Sequence, residues 1–343
     1  MSATQPDCAL ERSRIAEEGA SVWHAPLAFL ALCGALIFAA TAREWGEMFH
    51  QWWNIDTYTH ILLIPLIIGW LVWLRRDDLA DVVPKGWTPG LAFTAAGLAL
   101  WLVGRSSGLN ILAHAGAVGA LQGAVVAVLG PRVSLLLALP IAMAAFLVPF
   151  GDELIPALQD VTAIIAVELT HWSGIPATVD GIYIDTPVGL FIVAEACSGV
   201  KFLVAMVTLA VLVCFTRFNS WPRRAAFMLA SIIVPIIANG IRAWGTVYIA
   251  QFQGVEFAAG FDHIFYGWIF FALVVAILLA GAWKFFEREP EEHGCSVRTL
   301  ASWKWLERAE TWSASTAAIT GAIIALVFAA TMLAVIVAEP SVG

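Results

Sequence analysis

The sequence predicts an all-α polytopic membrane protein with about eight or nine transmembrane helices. A short β-hairpin-like segment, expected on the periplasmic side, precedes the helix that begins at Cys197. Composition carries the first part of this reading. Of 343 residues 60% are hydrophobic and only 13% charged, with a mean hydropathy of +0.83, against roughly 25% charged in soluble domains. Span-length apolar runs carry the second, since about 20 apolar residues in a helix cross the hydrocarbon. The distribution of Lys and Arg carries the third.

Taken in order, the runs fall at 23–42, 58–74, 90–103, 108–129, 131–150, 198–216, 225–250, 263–285 and 316–337. The first reads as a retained anchor. It is long, Arg12 and Arg14 before it are mixed with Glu11, Glu17 and Glu18, and further spans follow, unlike a cleaved leader. Basic residues stay preferentially on the cytoplasmic side. With the N-terminus inside, the outer segments hold only Arg43 and Arg105 of the eighteen Lys and Arg. Lys201 and Arg242 lie within spans, and the rest fall inside. The net charge of −8 therefore says little about partners.

Between the fifth and sixth spans lies the one sizeable outer region, about 151–196. Asp152 to Trp172 carries Leu154, Ala157, Leu158, Val161, Ile164 and Ile165 at helical spacing, which suits a helix lying along the membrane interface. After Gly174-Ile175-Pro176 come three strand-like pieces, 177–179, 182–184 and 190–193, separated by Asp180-Gly181 and by Asp185-Thr186-Pro187-Val188-Gly189. Those breaks are turn signals. A small hairpin or meander of this kind delivers the chain to Glu195 and Cys197 and offers a platform for an extended peptide.

The sixth span then starts at Cys197, the seventh carries Arg242 in its last turns, and the eighth starts at His263. All three fall at the outer boundary. One helix more or fewer between them would set them about 30 Å apart. Among the other cysteines, Cys8 and Cys295 lie in inner segments, Cys33 is mid-span, and Cys214 is about 25 Å down the helix from Cys197. The spacing assigns no disulfide to Cys197, and a thiol facing an oxidising compartment needs a use.

A nucleophilic cysteine requires a lowered thiol pKa, which a helix start or a nearby cation supplies. Lys201 lies one turn below Cys197, and charged groups within a span are functional candidates by default. Arg242 has Asn239 one turn before it on the same helix face, and its guanidinium can donate to a developing oxyanion. His263, beside Asp262, is the natural general acid and base. His60 has a matching depth at the start of the second span and is the next choice. The plainer alternatives are a cysteine used as small apolar filler, a Lys201 that snorkels or pairs with Glu195, and an Arg242 in a structural ion pair. No phosphate loop, metal-ligand spacing or nucleic-acid patch is present, so neither cofactor, metal nor nucleic acid is expected.

At Ala196-Cys197-Ser198-Gly199, Asn239-Gly240-Ile241-Arg242 and His263 the chain resembles the exosortase/archaeosortase family of polytopic cysteine transpeptidases. Thr59-His60 to Pro65, with Arg75-Arg76, is similar to the family's N-terminal region. The resemblance covers roughly 45–285 and implies a catalytic domain over 1–285, with 286–343 as a cytoplasmic linker and an additional helix. It implies catalytic roles for Cys197, Arg242 and His263, with Glu195, Asn239, Lys201 and His60 in support. The implied substrates are exported proteins with a tripartite C-terminal signal: a motif such as Pro-Glu-Pro, a membrane helix and a basic tail. They are cleaved through a thioacyl intermediate and passed to an acceptor in the cell envelope, at the periplasmic face of the inner membrane among its lipids. A transporter or a polysaccharide-export subunit, and a plain intramembrane cysteine protease, are the alternatives to weigh. No inverted repeat of the kind that marks transporters is visible.

Overall fold

The computed structural model describes residues 6–254 and 267–338. The chain divides into two compact units, 1–149 with 294–343 and 150–293.

The first unit begins with α1 (Pro6–Ala40), α2 (Ala42–Asn54), a 3-10 segment over Asp56–Leu63, α3 (Ile64–Leu74) and α4 (Arg76–Ala80). A two-residue strand β1 (Gly86–Trp87) leads to α5 (Gly90–Ser107), α6 (Asn110–Leu136) and α7 (Ala138–Met143). The helices α5 and α6 meet through glycine: a Cβ on Gly116 would stand 2.1 Å from the Trp101 backbone nitrogen. Small residues of this kind let helix backbones approach closely in a membrane, where packing rather than the hydrophobic effect draws helices together.

The expected fifth span, 131–150, is not one helix. The backbone of α6 kinks at Gly130 (φ 82°, ψ 175°) just before Pro131, and the chain breaks again at Leu137 before the short pieces Ala138–Met143 and Ala144–Leu147. Pro131 removes a donor and bars the helical conformation from the residue before it, and the break passes through Gly130 at a positive φ that glycine adopts without cost to a side chain.

The C-terminal segment returns to this same unit as α12 (Val297–Ala301), α13 (Lys304–Glu310), β5 (Ser313–Ala314) and α14 (Thr316–Ala338). Strand β5 pairs antiparallel with β1, Gly86 opposite Ala314. Trp87 Nε1 donates to the Ala309 carbonyl at 2.9 Å, Arg132 pairs with Glu310 at 2.6 Å, and the buried Arg75 donates to the Cys295 carbonyl. Leu300, Leu306, Ile319, Ile323 and Val327 share one core with Ile37, Leu98, Trp101, Ala120 and Val133.

The second unit holds α8 (Ile155–Trp172), the strands β2 (Thr178–Asp180), β3 (Tyr183–Thr186) and β4 (Gly189–Ile192), then α9 (Val200–Arg217), α10 (Trp221–Gln253) and α11 (Gly267–Trp283). The strands form an antiparallel meander in the order β2-β3-β4, close to the expected pieces. The helix α8 departs from the expected interfacial one. With its preceding turn, Asp152–Trp172, it is long and apolar enough to cross a membrane. Its packed stripe is Leu158, Gln159, Thr162, Ala163, Ala166, Val167 and Thr170, whereas Leu154, Val161 and Ile164 are exposed. Small and polar residues face the neighbouring helices and the apolar ones face outward, as in a helix surrounded by lipid.

Seven helices among the described residues reach span length and apolarity, and Ala138–Leu147 and Ile269–Trp283 are shorter apolar helices. The architecture is that of an all-α polytopic membrane protein with only small antiparallel sheets.

Candidate active site

Cys197 closes a 3-10 turn, Glu195–Cys197, that joins β4 to α9. Its amide donates to the Ala194 carbonyl at 2.8 Å, and the Ser198 amide donates to Glu195 at 3.1 Å. Gly199 follows at φ 84°, a left-handed conformation that costs other residues roughly 1–2 kcal/mol. It caps α9, its carbonyl accepting from the Phe202 and Leu203 amides at 3.1 and 3.0 Å. At about 1.5 Å per residue, the 18 residues of α9 span about 27 Å. Cys197 therefore sits at one end of a helix that matches the hydrocarbon thickness of about 30 Å.

Two helices hold the turn from outside. Asn239 of α10 donates from Nδ2 to the Cys197 carbonyl at 2.9 Å and to Thr162 Oγ1 of α8 at 3.0 Å. The Thr162 hydroxyl in turn donates to the Ser198 carbonyl at 3.4 Å. Gln159, one turn before Thr162, donates to the Val193 carbonyl at 2.6 Å. Contact is so close that a Cβ on Gly199 would meet Asn239 Cγ at 2.7 Å. Asn239 and Thr162 are both buried, where a hydrogen bond left unmade costs about 1–3 kcal/mol.

The meander closes the other side. Its inward residues Ile184 and Val193 are buried with Ala163, Ala166, Val167 and Ala177, and Phe191 and Cys197 pack against that cluster. Between the sheet and α10 is a cavity of about 70 Å³ whose lining includes Phe191, Ile192, Val193, Cys197, Asn239, Arg242 and Thr246. A single water needs about 10–15 Å³, so the space admits a peptide carbonyl. Arg242 is 7% exposed and its guanidinium carbon stands 5.9 Å from the centroid of the Phe202 ring.

The family model of the transmembrane exosortases (Exosortase_EpsH) matches residues 52–280. The chain belongs to this family. No curated protein and no solved structure gives a match. The matched stretch of the exosortase carries Cys197, Asn239 and Arg242, while the returning segment Gly294–Ala338 lies beyond it.

Cys197, Asn239 and Arg242 of the exosortase thus line one cavity. The other residues singled out in the sequence stand differently. His263, with Asp262, lies outside the described residues. Glu195 is exposed in the turn and does not line the cavity. Lys201 is half-buried, its ammonium 5.3 Å from the Phe202 ring, and is not in the lining either. His60 belongs to the other compact unit, where its Nδ1 is 3.0 Å from the Thr57 carbonyl. Sequence reasoning missed Thr162 and Gln159. Both are polar residues on the stripe of α8 opposite the exposed apolar one, and that position was the available signal.

Proposed function

We propose that this exosortase is a membrane-embedded cysteine transpeptidase that cleaves the C-terminal sorting signal of exported proteins and transfers them to a cell-envelope acceptor. The observation that carries the reading is the shared cavity of Cys197 and Arg242 at the end of a span-length helix, within the region matched by the family.

In this mechanism the Cys197 thiolate attacks a peptide carbonyl of the signal, and Arg242 donates hydrogen bonds to the oxyanion that forms. The C–N bond breaks, the leaving amine takes a proton from His263, and the acyl group remains on sulfur as a thioester. His263, now neutral, accepts a proton from an acceptor amine or hydroxyl as that group attacks the thioester, and the thiolate is released. Water in place of the acceptor gives hydrolysis. Asn239 fixes the turn that carries the thiol. The substrate is an exported protein whose motif precedes a membrane helix and a basic tail, and the site faces the periplasm across an inner membrane with the N-terminus cytoplasmic.

The test is to incubate the purified enzyme with a peptide containing Pro-Glu-Pro and look by mass spectrometry for an acyl adduct on Cys197, with Cys197→Ala as control. An adduct that forms equally in Cys197→Ala, or processing in cells that survives this substitution, overturns the proposal. Mass spectrometry of a processed protein's C-terminus separates transfer, which adds a moiety, from hydrolysis, which leaves a free carboxylate.

A further inference from the structure

Of the two edge strands of the meander, β2 and β4, the second leads to Cys197, and among the described residues no strand pairs with its outer side. The Val193 amide donates to the Ile182 carbonyl at 2.9 Å, and Thr186 opposes Gly189 across the two-residue Pro187-Val188 turn. Antiparallel ladders alternate, so residues of one parity bond to the neighbouring strand and those of the other parity face away. Gly189, Phe191 and Val193 therefore bond toward β3. The backbone N–H and C=O groups of Leu190 and Ile192 point to the far side, where no strand lies among the described residues.

Exposed edges of this kind are templates for another strand, and proteins normally blunt them with charge, proline or a bulge. This one carries none of these. Leu190 is 60% and Ile192 55% exposed, and the cross-strand neighbour of Ile192, Tyr183, is exposed as well. An open, apolar edge is thus kept on the one strand that leads directly into the turn of Cys197. Phe191, Ile192 and Val193 also line the cavity that holds Cys197 and Arg242, so edge and cavity are continuous.

We infer that the outer edge of β4, at Leu190 and Ile192, captures an extended segment of the substrate polypeptide by strand addition and lays its backbone across the mouth of the Cys197 cavity. The inference rests on the acyl-transfer reading above and adds to it the mode of recognition. Main-chain hydrogen bonds to Leu190 and Ile192 supply register, and alternate side chains of the added strand turn toward the cavity and away from it. Selection is then by conformation and spacing more than by any one side chain. A segment unable to extend, or bonded within its own helix, is refused at the edge.

The experiment uses the full chain in lipid nanodiscs and a probe peptide with Pro-Glu-Pro at its centre. The amides of its non-proline residues are replaced by esters one at a time, and cleavage by Cys197 is followed. Each lost hydrogen bond is worth about two- to ten-fold, so kcat/KM falls by that factor at every second position and stays within two-fold between them. Leu190→Pro, at a residue outside the cavity lining, removes one outward N–H without touching the ladder to β3. It raises KM several-fold with kcat little changed, and leaves labelling of Cys197 by N-ethylmaleimide at the wild-type rate. Cleavage of the unmodified peptide with no alternation across the ester series overturns strand addition and leaves the acyl-transfer reading standing. Absence of any acyl adduct with the unmodified peptide overturns both.

Discussion

The amide of Asn239 is bonded to the carbonyl of Cys197 at 2.9 Å, across 42 residues of sequence, and so the middle of α10 sets the position of the turn that begins α9. The same Nδ2 reaches Thr162, tying three segments at one point.

Asn239→Ala removes the side-chain donor to the part-buried Cys197 carbonyl, at a cost of about 1–3 kcal/mol. Asn239→Asp is worse, since a carboxylate has no proton to give at neutral pH and is costly to bury. Both lower the melting temperature in detergent, and both raise the rate at which N-ethylmaleimide labels Cys197 as the turn loosens. Gly199→Ala disturbs the same point from the other side, by the left-handed φ and by the collision with Asn239. A Gly199→Ala protein with wild-type melting temperature and cleavage rate contradicts this account.

Arg242→Lys keeps the positive charge and loses the planar fork of donors. If the guanidinium serves the oxyanion, kcat for a signal peptide falls about 10²- to 10³-fold while KM changes little. Single-turnover kinetics on the peptide separates that outcome from an equal loss of binding, which would assign Arg242 to recognition.

Glu287, outside the spans, closes the turn between α9 and α10. Its carboxylate accepts from the Ser220 and Asn219 amides at 2.8 and 2.6 Å and pairs with Arg223 at 3.0 Å. Those bonds, from Ser220 first and then Asn219, hold its pKa below the ordinary carboxylate value. A depressed pKa contributes stability above the unfolded-state value of about 4.3 and loses it as pH falls through the lower folded-state value. Protection of the Asn219 and Ser220 amides, read as their exchange rate relative to an unstructured peptide at the same pH, is therefore present at neutral pH and is lost as pH falls through that lower value. Glu287→Gln lowers the protection at neutral pH as well.

Ile323 of α14 is fully buried in the first unit's core. Ile323→Ala costs about 2–5 kcal/mol, seen as a lower melting temperature. Removal of 294–343 strips a whole wall from that core, and the shortened protein elutes as aggregate from size-exclusion chromatography where the full chain is monodisperse. A well-behaved truncated protein would show the returning segment to be dispensable.

Much of the second unit is legible in the sequence because its signals are local. Asp180-Gly181 and Pro187-Val188 mark the turns of the meander. The role of Asn239 is only half visible. Its place one turn before Arg242 is plain, but its bond to the Cys197 carbonyl depends on the left-handed Gly199 letting α10 come close. The burial of Gln159 and Thr162 is hidden for another reason. In water the apolar stripe of α8 would turn inward, and in lipid that preference is lost, so periodicity alone picks the wrong face. The break between α6 and α7 at Leu137 is marked only by Pro140, three residues on, which lacks the N–H that would continue α6 and is easily passed over inside a long apolar run.

The returning segment also sets an order of events during synthesis. Residues 150–293 must leave the ribosome before Gly294 and its successors can reach the core around Ile37 and Trp101. At about 5–20 residues per second, that interval lasts roughly 7–30 s. Through it the first unit waits in the membrane without α14, its helix faces available to lipid or to an insertion factor, and the Cys197 unit is complete in sequence before the first unit is.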